Sequence, residues 1–330
     1  MNKGFWGGLK KPILALAPMA DVTDPPFRAI IARCGKPDVM FTEFVSCDGL
    51  MSAGRERILK DLLYSEEERP VVAQIFGSRP ENFEKTARLI SELGFNGIDI
   101  NMGCPDRSVL KQGAGAELIR NPSLAKEIIH ATTEGAGDLP VSVKTRIGYN
   151  EIALLPWLSA LLSTKPVAIT LHARTKKEMS KVPAHWDVIA EAVRIRDDAG
   201  SETLIIGNGD VKDIPDALRK IEETRADGVM FGRVIFGNPW FFNSKARVKE
   251  KISLREILET LSAHVALYQK QMGGVKSFSI MKKHFKAYIP AFPGSKELRT
   301  SLMEARDAKE VEKFIHEFLF RLPAEALMLQ

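Results

Sequence analysis

Apolar residues along this chain gather into eight short runs separated by longer amphipathic stretches, and that alternation sets the expected architecture. The runs at 13–18, 39–43, 71–76, 97–102, 141–146, 167–172, 204–209 and 228–233 are rich in Val, Ile, Leu and Phe. They recur about every 31 residues, the length of one β-α unit, and near-continuous apolarity suits strands covered on both faces. Between them the spacing turns helical. Segment 81–93 sets Phe83, Ala87, Ile90 and Leu93 at helical intervals, with Gly94 as a C-terminal stop. Asn121-Pro122 reads as an N-cap followed by a first-turn proline, and 184–195 and 214–221 follow the same logic. Eight such units predict a (β/α)8 TIM barrel rather than a doubly wound sheet.

After about residue 245 the pattern changes. Segments 254–271, 278–289, 295–303 and 309–319 are amphipathic and helix-like, broken by Gly273-Gly274, Pro290 and Pro293-Gly294, with no strand run among them. The expected organisation is a barrel over 1–245 followed by a small C-terminal all-α helical bundle over 246–330.

The length of 330 residues is ample for this plan, because chains of about 300 residues bury roughly 75% of their extended surface. The longest apolar stretches, such as 13–17, fall well short of the roughly 18 residues a membrane span requires, so no membrane partner is expected. Lys3, Lys10 and Lys11 near the start precede no apolar region, and no secretion signal is read there. Cys34, Cys47 and Cys104 lack C-x-x-C spacing and cannot all pair, which argues for a reducing, cytoplasmic setting and against a zinc site; no metal is expected.

The net charge of +5 is unevenly spread. Residues 245–330 hold 16 Lys/Arg against 10 Asp/Glu, a net of +6, whereas 1–244 carry a net of −1. A polyanionic partner for the C-terminal segment and a merely solvated helical surface both fit that count.

Chemistry on this barrel class is assembled at the C-terminal ends of the strands. The expected ends here are Pro18-Met19, Glu43, Gln74, Asn101, Lys144, His172, Asn208-Gly209-Asp210 and Gly232-Arg233. Each carries a polar or backbone-permissive residue where an apolar run stops, which points to a shared ligand site. The turns GNGD (207–210) and FGR (231–233) follow strands seven and eight, where phosphate groups commonly dock on this fold. Lys144 sits within an otherwise apolar strand and needs a partner or a task. A Schiff base, a phosphate contact, donation to an electron-rich ring nitrogen and an ion pair with Asp99 all remain open. Cys104, in the loop after strand four, can act as nucleophile, general acid or small hydrophobe. Cys34 reads as packing and Cys47 as undetermined. His130, His185, His264, His284 and His316 fall in helix-like segments and read as structural or exposed.

The motifs APMADVTDPPFR (17–28), FTEFVSCDGLM (41–51), AQIFG (73–77), DINMGCP (99–105), GAGAELI (113–119), VKTRIG (143–148), LHART (171–175), IGNGDV (206–211) and FGR occur in this order, followed by MKKHFKAYIPAFPGSKELR (281–299). Together they closely resemble the tRNA-dihydrouridine synthase family through nearly the whole barrel and into its helical domain. The resemblance implies an FMN cofactor in the barrel mouth, with Pro18, Met19 and Ala20 along its ring system and Gln74 and Lys144 at the ring's polar edge. His172, Asn208, Gly209, Asp210, Gly232 and Arg233 would hold its ribityl chain and phosphate. It further implies that NADPH reduces the flavin, that hydride passes from N5 to uracil C6, and that the Cys104 thiol protonates C5. Glu43 and Asn101 fall on the substrate side, with Arg174 and Thr175 near. The basic residues Lys276, Lys282, Lys283, Lys286 and Arg299 would grip the tRNA backbone. A monomer is expected. One departure stands out: the segment after HART reads KKEMSKVPAHWD, lacking the family's Tyr-Gly pair and placing His185 where an Asp is usual.

Two rival readings frame this one. A flavin barrel reducing a free pyrimidine or other small molecule would have no need of a basic helical tail. A non-catalytic tRNA-binding protein would have no need of Cys104, Lys144 and Gln74 together.

Overall fold

The computed structural model describes residues 2–243, 252–292 and 294–321. The expected boundary at 245/246 and Pro293 lie outside them. Eight parallel strands form one sheet: β1 (Ile13–Leu16), β2 (Met40–Ser46), β3 (Val71–Phe76), β4 (Gly97–Met102), β5 (Val141–Arg146), β6 (Ala168–His172), β7 (Leu204–Asn208) and β8 (Gly228–Phe231). Their spatial order is β1-β8-β7-β6-β5-β4-β3-β2. The remaining seam, between β1 and β2, is closed by a parallel bridge from Ala15 to Val39. The backbone bonds Leu16 N–H to Val39 O, 3.0 Å, and Asp38 N–H to Leu14 O, 2.9 Å, complete it. Closure removes both sheet edges, and the fold is a (β/α)8 barrel.

Local sequence explains most of the helices. Pro at a first-turn position opens α1 (Pro25–Gly35), α4 (Pro80–Glu92), α6 (Pro122–Ala136) and α9 (Ile214–Thr224). The side chains of Asp24, Asn121 and Asp213 cap α1, α6 and α9 by accepting from backbone N–H groups. Shorter or unprolined helices fill the other connections: α2 (Cys47–Leu50), α3 (Arg55–Leu59), α5 (Arg107–Leu110), α7 (Leu154–Leu162) and α8 (Trp186–Asp198). The foot of the barrel is filled by Ile13, Ala15, Val39, Phe41, Val72, Ile206 and Met230. Trp6, from the short 3-10 helix Gly4–Gly8, packs into the same cluster, so the basic N-terminal segment serves as a plug.

One strand runs past its expected end: β2 continues three residues beyond Glu43, through a register irregularity between Phe41 and Phe44, whereas β3 and β5 keep their expected bounds and continue beyond Gln74 and Lys144. Glu43, Gln74 and Lys144 therefore lie within strands rather than at their ends. A ladder needs only backbone N–H and C=O groups, so it continues where the inward side chains turn polar.

The chain forms two compact units, the first spanning 1–20, 37–62 and 69–232, the second 21–36, 63–68 and 233–330. The second unit holds α10 (Leu254–Met272), α11 (Met281–Tyr288), α12 (Ser295–Glu304) and α13 (Ala308–Arg321), and it also takes in α1. Phe27 of α1 stacks on His264 at 5.1 Å between ring centroids and sits 4.8 Å from His284, both rings fully buried. Arg28, also buried, binds Glu68 at 2.7 Å and donates to the carbonyls of Thr23 and Leu63. These packed rings and the buried ion pair make α1 part of the helical unit. No described helix is long and apolar enough to cross a membrane.

Candidate active site

The parallel register brings the predicted polar residues into adjoining rows near the C-terminal end of the barrel. Gln74 pairs in register with Asp99, Asp99 with Ser142, Asn101 with Lys144, and His172 with Asn208. Because side chains alternate along a strand, Asp99 and Asn101 share a face, as do Ser142 and Lys144.

Within this layer the side chains form a directed chain. The buried Asp99 carboxylate accepts from Gln74 Nε2 at 2.6 Å and from Ser142 Oγ at 2.6 Å. Gln74 Oε1 accepts from Asn101 Nδ2 at 3.1 Å. Asn101 Oδ1 in turn accepts from the backbone N–H groups of Gly103, 3.1 Å, and Cys104, 2.9 Å. The loop that carries the thiol is thus held by the strand that precedes it. Burial lifts the Asp99 carboxyl to about 6, against the pull of its two donors and the Lys144 charge.

Lys144 does not pair with Asp99. Its ammonium donates to Asn208 Oδ1 at 3.2 Å, and Asn208 Nδ2 donates to the Met230 carbonyl at 2.8 Å, which fixes the amide's orientation. Burial, with Arg146 beside it, brings Lys144 down to about 8. The half-buried Cys104 thiol is raised above its ordinary value by burial, partly offset by the Arg146 and Lys144 charges, so it keeps its proton at neutral pH.

Two residues that the sequence reading did not single out complete the thiol loop. Arg146 donates through Nε to Gly103 O at 2.8 Å and through Nη1 to Thr175 O at 3.1 Å, tying the Cys104 loop to the segment after β6. Gly115, at φ 63°, passes so close that a Cβ there would lie 2.7 Å from the Cys104 carbonyl oxygen. The motif VKTRIG held a signal for Arg146, which lies two residues after Lys144 on the same face; nothing local revealed Gly115's neighbour.

The remaining expected residues are placed as follows. Met19, in the loop after β1, packs against the barrel cluster, and a Cβ on Gly232 would meet its sulfur at 3.7 Å. Pro18 and Ala20 flank it, half-buried and exposed. Gly209 takes φ 124°, a conformation that favours glycine, and lies against the His172 ring. Gly207, by contrast, answers a packing need: a Cβ would stand 2.4 Å from the Trp186 ring, whose Nε1 donates to Gly209 O. Arg174 is buried, bonded to Val182 O at 2.6 Å and ion-paired with Asp210, which also accepts from Ala184 N–H. Thr175, equally buried, exchanges bonds with Glu178, which also reaches His185 at 3.0 Å. The departing loop is therefore braced from within. Glu43 is buried in β2. Arg233 opens the 3-10 turn Arg233–Ile235 and counts with the second unit.

In the second unit, Lys282, Lys283 and Lys286 of α11 face Lys296, Thr300 and Met303 of α12 across a groove of about 470 Å³. Lys283 and Lys276 also approach the Asp21 carboxylate, at 3.6 and 3.9 Å. Arg299 is committed locally, donating to the carbonyls of Ile289 and Pro290 that end α11. Among the described residues, no group of three or more His, Cys, Asp or Glu could hold a metal ion.

Comparison with known proteins places the chain. A protein from Staphylococcus aureus (strain MRSA252), named probable tRNA-dihydrouridine synthase, is 40% identical over 321 residues, covering 96% of each chain. Probable tRNA-dihydrouridine synthase 2 of Bacillus subtilis (strain 168) is 39% identical over 96% of this chain and 97% of its own. Among solved structures, histamine dehydrogenase from Rhizobium sp. 4-9 matches with a TM-score of 0.54 at 12% identity, over 77% of this chain and 48% of that one. A morphinone reductase mutant matches at 0.51 and 12% identity, over 72% of this chain and 87% of that one. Both are likenesses of fold. The family model described as Dihydrouridine synthase (Dus) matches residues 15–322, so this chain belongs to the dihydrouridine synthase family.

Proposed function

We propose that this chain reduces the C5–C6 bond of uridines in tRNA, with FMN as its bound cofactor, NADPH as electron donor and Cys104 as the proton donor. The observation that carries the reading is a thiol in the loop after β4 whose backbone N–H is held by Asn101 and whose neighbour Gly103 is held by Arg146, with the half-buried Lys144 in register beside Asn101.

The residues present suit a flavin phosphate. Lys144, in register beside Asn101 and bonded to Asn208, would meet the ring's polar edge, with Gln74 bonded to Asn101 and Asp99 behind it and Met19 presenting an apolar surface; Asn208 belongs with the ribityl chain. His172, the Gly209 turn with Asp210, and Gly232 followed in the chain by Arg233 supply the glycine freedom and positive charge that a ribityl phosphate needs. When bound, reduced FMN supplies the hydride for uracil C6.

The chain's own residues do the rest. Lys144, charged below about pH 8, stabilises negative charge on the ring edge. Asn101 and its neighbours hold the uracil, and Cys104 gives its proton to C5 as negative charge develops on the base. A uridine must leave its stack to reach this layer. The lysines of α11 grip the phosphate backbone, a role assigned to the helical segment over 246–330. The protein acts as a monomer in the cytoplasm, where tRNA and reduced thiols are found.

Unmodified tRNA incubated with the protein, FMN and NADPH should yield dihydrouridine, mapped by mass spectrometry, and Cys104→Ala should yield little. A yellow protein that oxidises NADPH but leaves several tRNAs unchanged would overturn the reading in favour of a small-molecule reductase.

A further inference from the structure

We infer that Asp99 is a positioning residue for the thiol, its carboxylate setting the direction of a hydrogen-bond chain through Gln74 and Asn101 that ends on the backbone N–H groups of Gly103 and Cys104. The inference rests on the proposed reaction, because it concerns the group that protonates C5.

The argument is one of polarity. A carboxamide can point either way, and neither Gln74 nor Asn101 dictates its own orientation. A carboxylate only accepts. Asp99 therefore must receive Gln74 Nε2, at 2.6 Å, and that turns Gln74 Oε1 toward Asn101. Asn101 must then donate Nδ2 to Gln74, which leaves its Oδ1 to accept from two consecutive N–H groups of the thiol loop. Reverse the first link and the last becomes an NH2 group facing two N–H donors, so the loop must shift. Ser142 donates to the second carboxylate oxygen from β5, and the side chains of Asp99, Ser142, Gln74 and Asn101 are all buried, where an unmade bond costs most. The charged group facing Asp99 is Lys144, which is already bonded to Asn208.

The chemistry separates two substitutions. Asp99→Leu removes the acceptor, leaving the buried Gln74 Nε2 unbonded and the amide that holds Asn101 without its anchor. Asp99→Asn keeps one acceptor oxygen for Gln74 while its NH2 meets Ser142 Oγ. The experiment compares both with wild type by the rate of Cys104 alkylation with iodoacetamide in the full chain, resolved from Cys34 and Cys47 by peptide mass spectrometry, and by kcat and KM on tRNA. Asp99→Leu should change the alkylation rate several-fold and lower kcat by about tenfold or more with KM little changed, since small misplacements of a reacting group cost up to about 10²-fold. Asp99→Asn should recover most of both. A folded Asp99→Leu that matches wild type, or an Asp99→Asn as impaired as Asp99→Leu, would overturn the inference.

Should Asp99→Leu fail to fold, the middle of the chain decides. Gln74→Met leaves Asp99 and Ser142 in place but cuts the link to Asn101, and it should change the Cys104 alkylation rate several-fold. An unchanged rate in Gln74→Met sinks the assignment. Wild type inactive on tRNA would remove the proposed reaction while leaving the alkylation comparison valid.

Discussion

Asn101 Oδ1 accepts the backbone N–H of Cys104 at 2.9 Å, so the residue expected to meet the uracil also holds the residue expected to protonate it. The two are three positions apart, across the turn from β4 into the mouth. A displacement of one displaces the other, which makes the thiol's placement a property of the strand rather than of a free loop.

Loss of the proton donor should be felt in chemistry and not in binding. Cys104→Ala should lower dihydrouridine formation by about 10²- to 10⁴-fold, the range of general acid catalysis. Affinity for tRNA, measured by filter binding, should stay near wild type.

Alkaline pH should weaken the enzyme before the thiol ionises. Lys144 stands at about 8, so its positive charge is present below that pH and is lost as pH rises through it. The rate of cofactor reduction and turnover should fall above about pH 8, and Lys144→Met should remove that limb along with most of the activity. A flat profile from pH 7 to 9 would show that the ammonium charge is not needed.

Gly115 is required twice, by its φ of 63° and by the Cys104 carbonyl 2.7 Å from where a Cβ would stand. Gly115→Ala should destabilise the protein by about 1–3 kcal/mol and shift the thiol loop. Thermal unfolding and the alkylation rate of Cys104 should both change; an unchanged melting temperature would contradict the geometry.

In the helical unit, Arg28 and Glu68 form an ion pair with both side chains buried. Arg28→Met leaves the carboxylate without its partner and should cost about 3–5 kcal/mol, read by chemical denaturation. Burial of the thiol loop is not involved, so any activity that survives should keep its pH profile.

Lys282, Lys283 and Lys286 line one groove, but Lys283 is partly engaged by Asp21. Replacing all three with Gln should weaken tRNA binding and lower the slope of log affinity against log salt by about two, at roughly 0.7–0.9 for each phosphate no longer neutralised. An unchanged slope would show that these lysines do not meet the backbone.

How much of this was legible in the sequence differs by residue. Eight apolar runs at regular spacing pointed to the barrel, because strands covered on both faces have no room for alternation. Asn121 and Pro122 marked the start of α6, since caps and first-turn prolines act within a few residues. Cys104, Lys144 and Asn208 announced themselves as polar groups at the mouth. Such features are local, and local chemistry is what a sequence states directly. The partners were not local. That Asp99 faces Gln74, that Lys144 turns to Asn208 instead of Asp99, and that α1 belongs with the helices after residue 233 depend on strand register and packing across 25 to more than 200 positions. Register is set jointly by every strand in the closed sheet, so only the tertiary structure could decide which polar groups would meet.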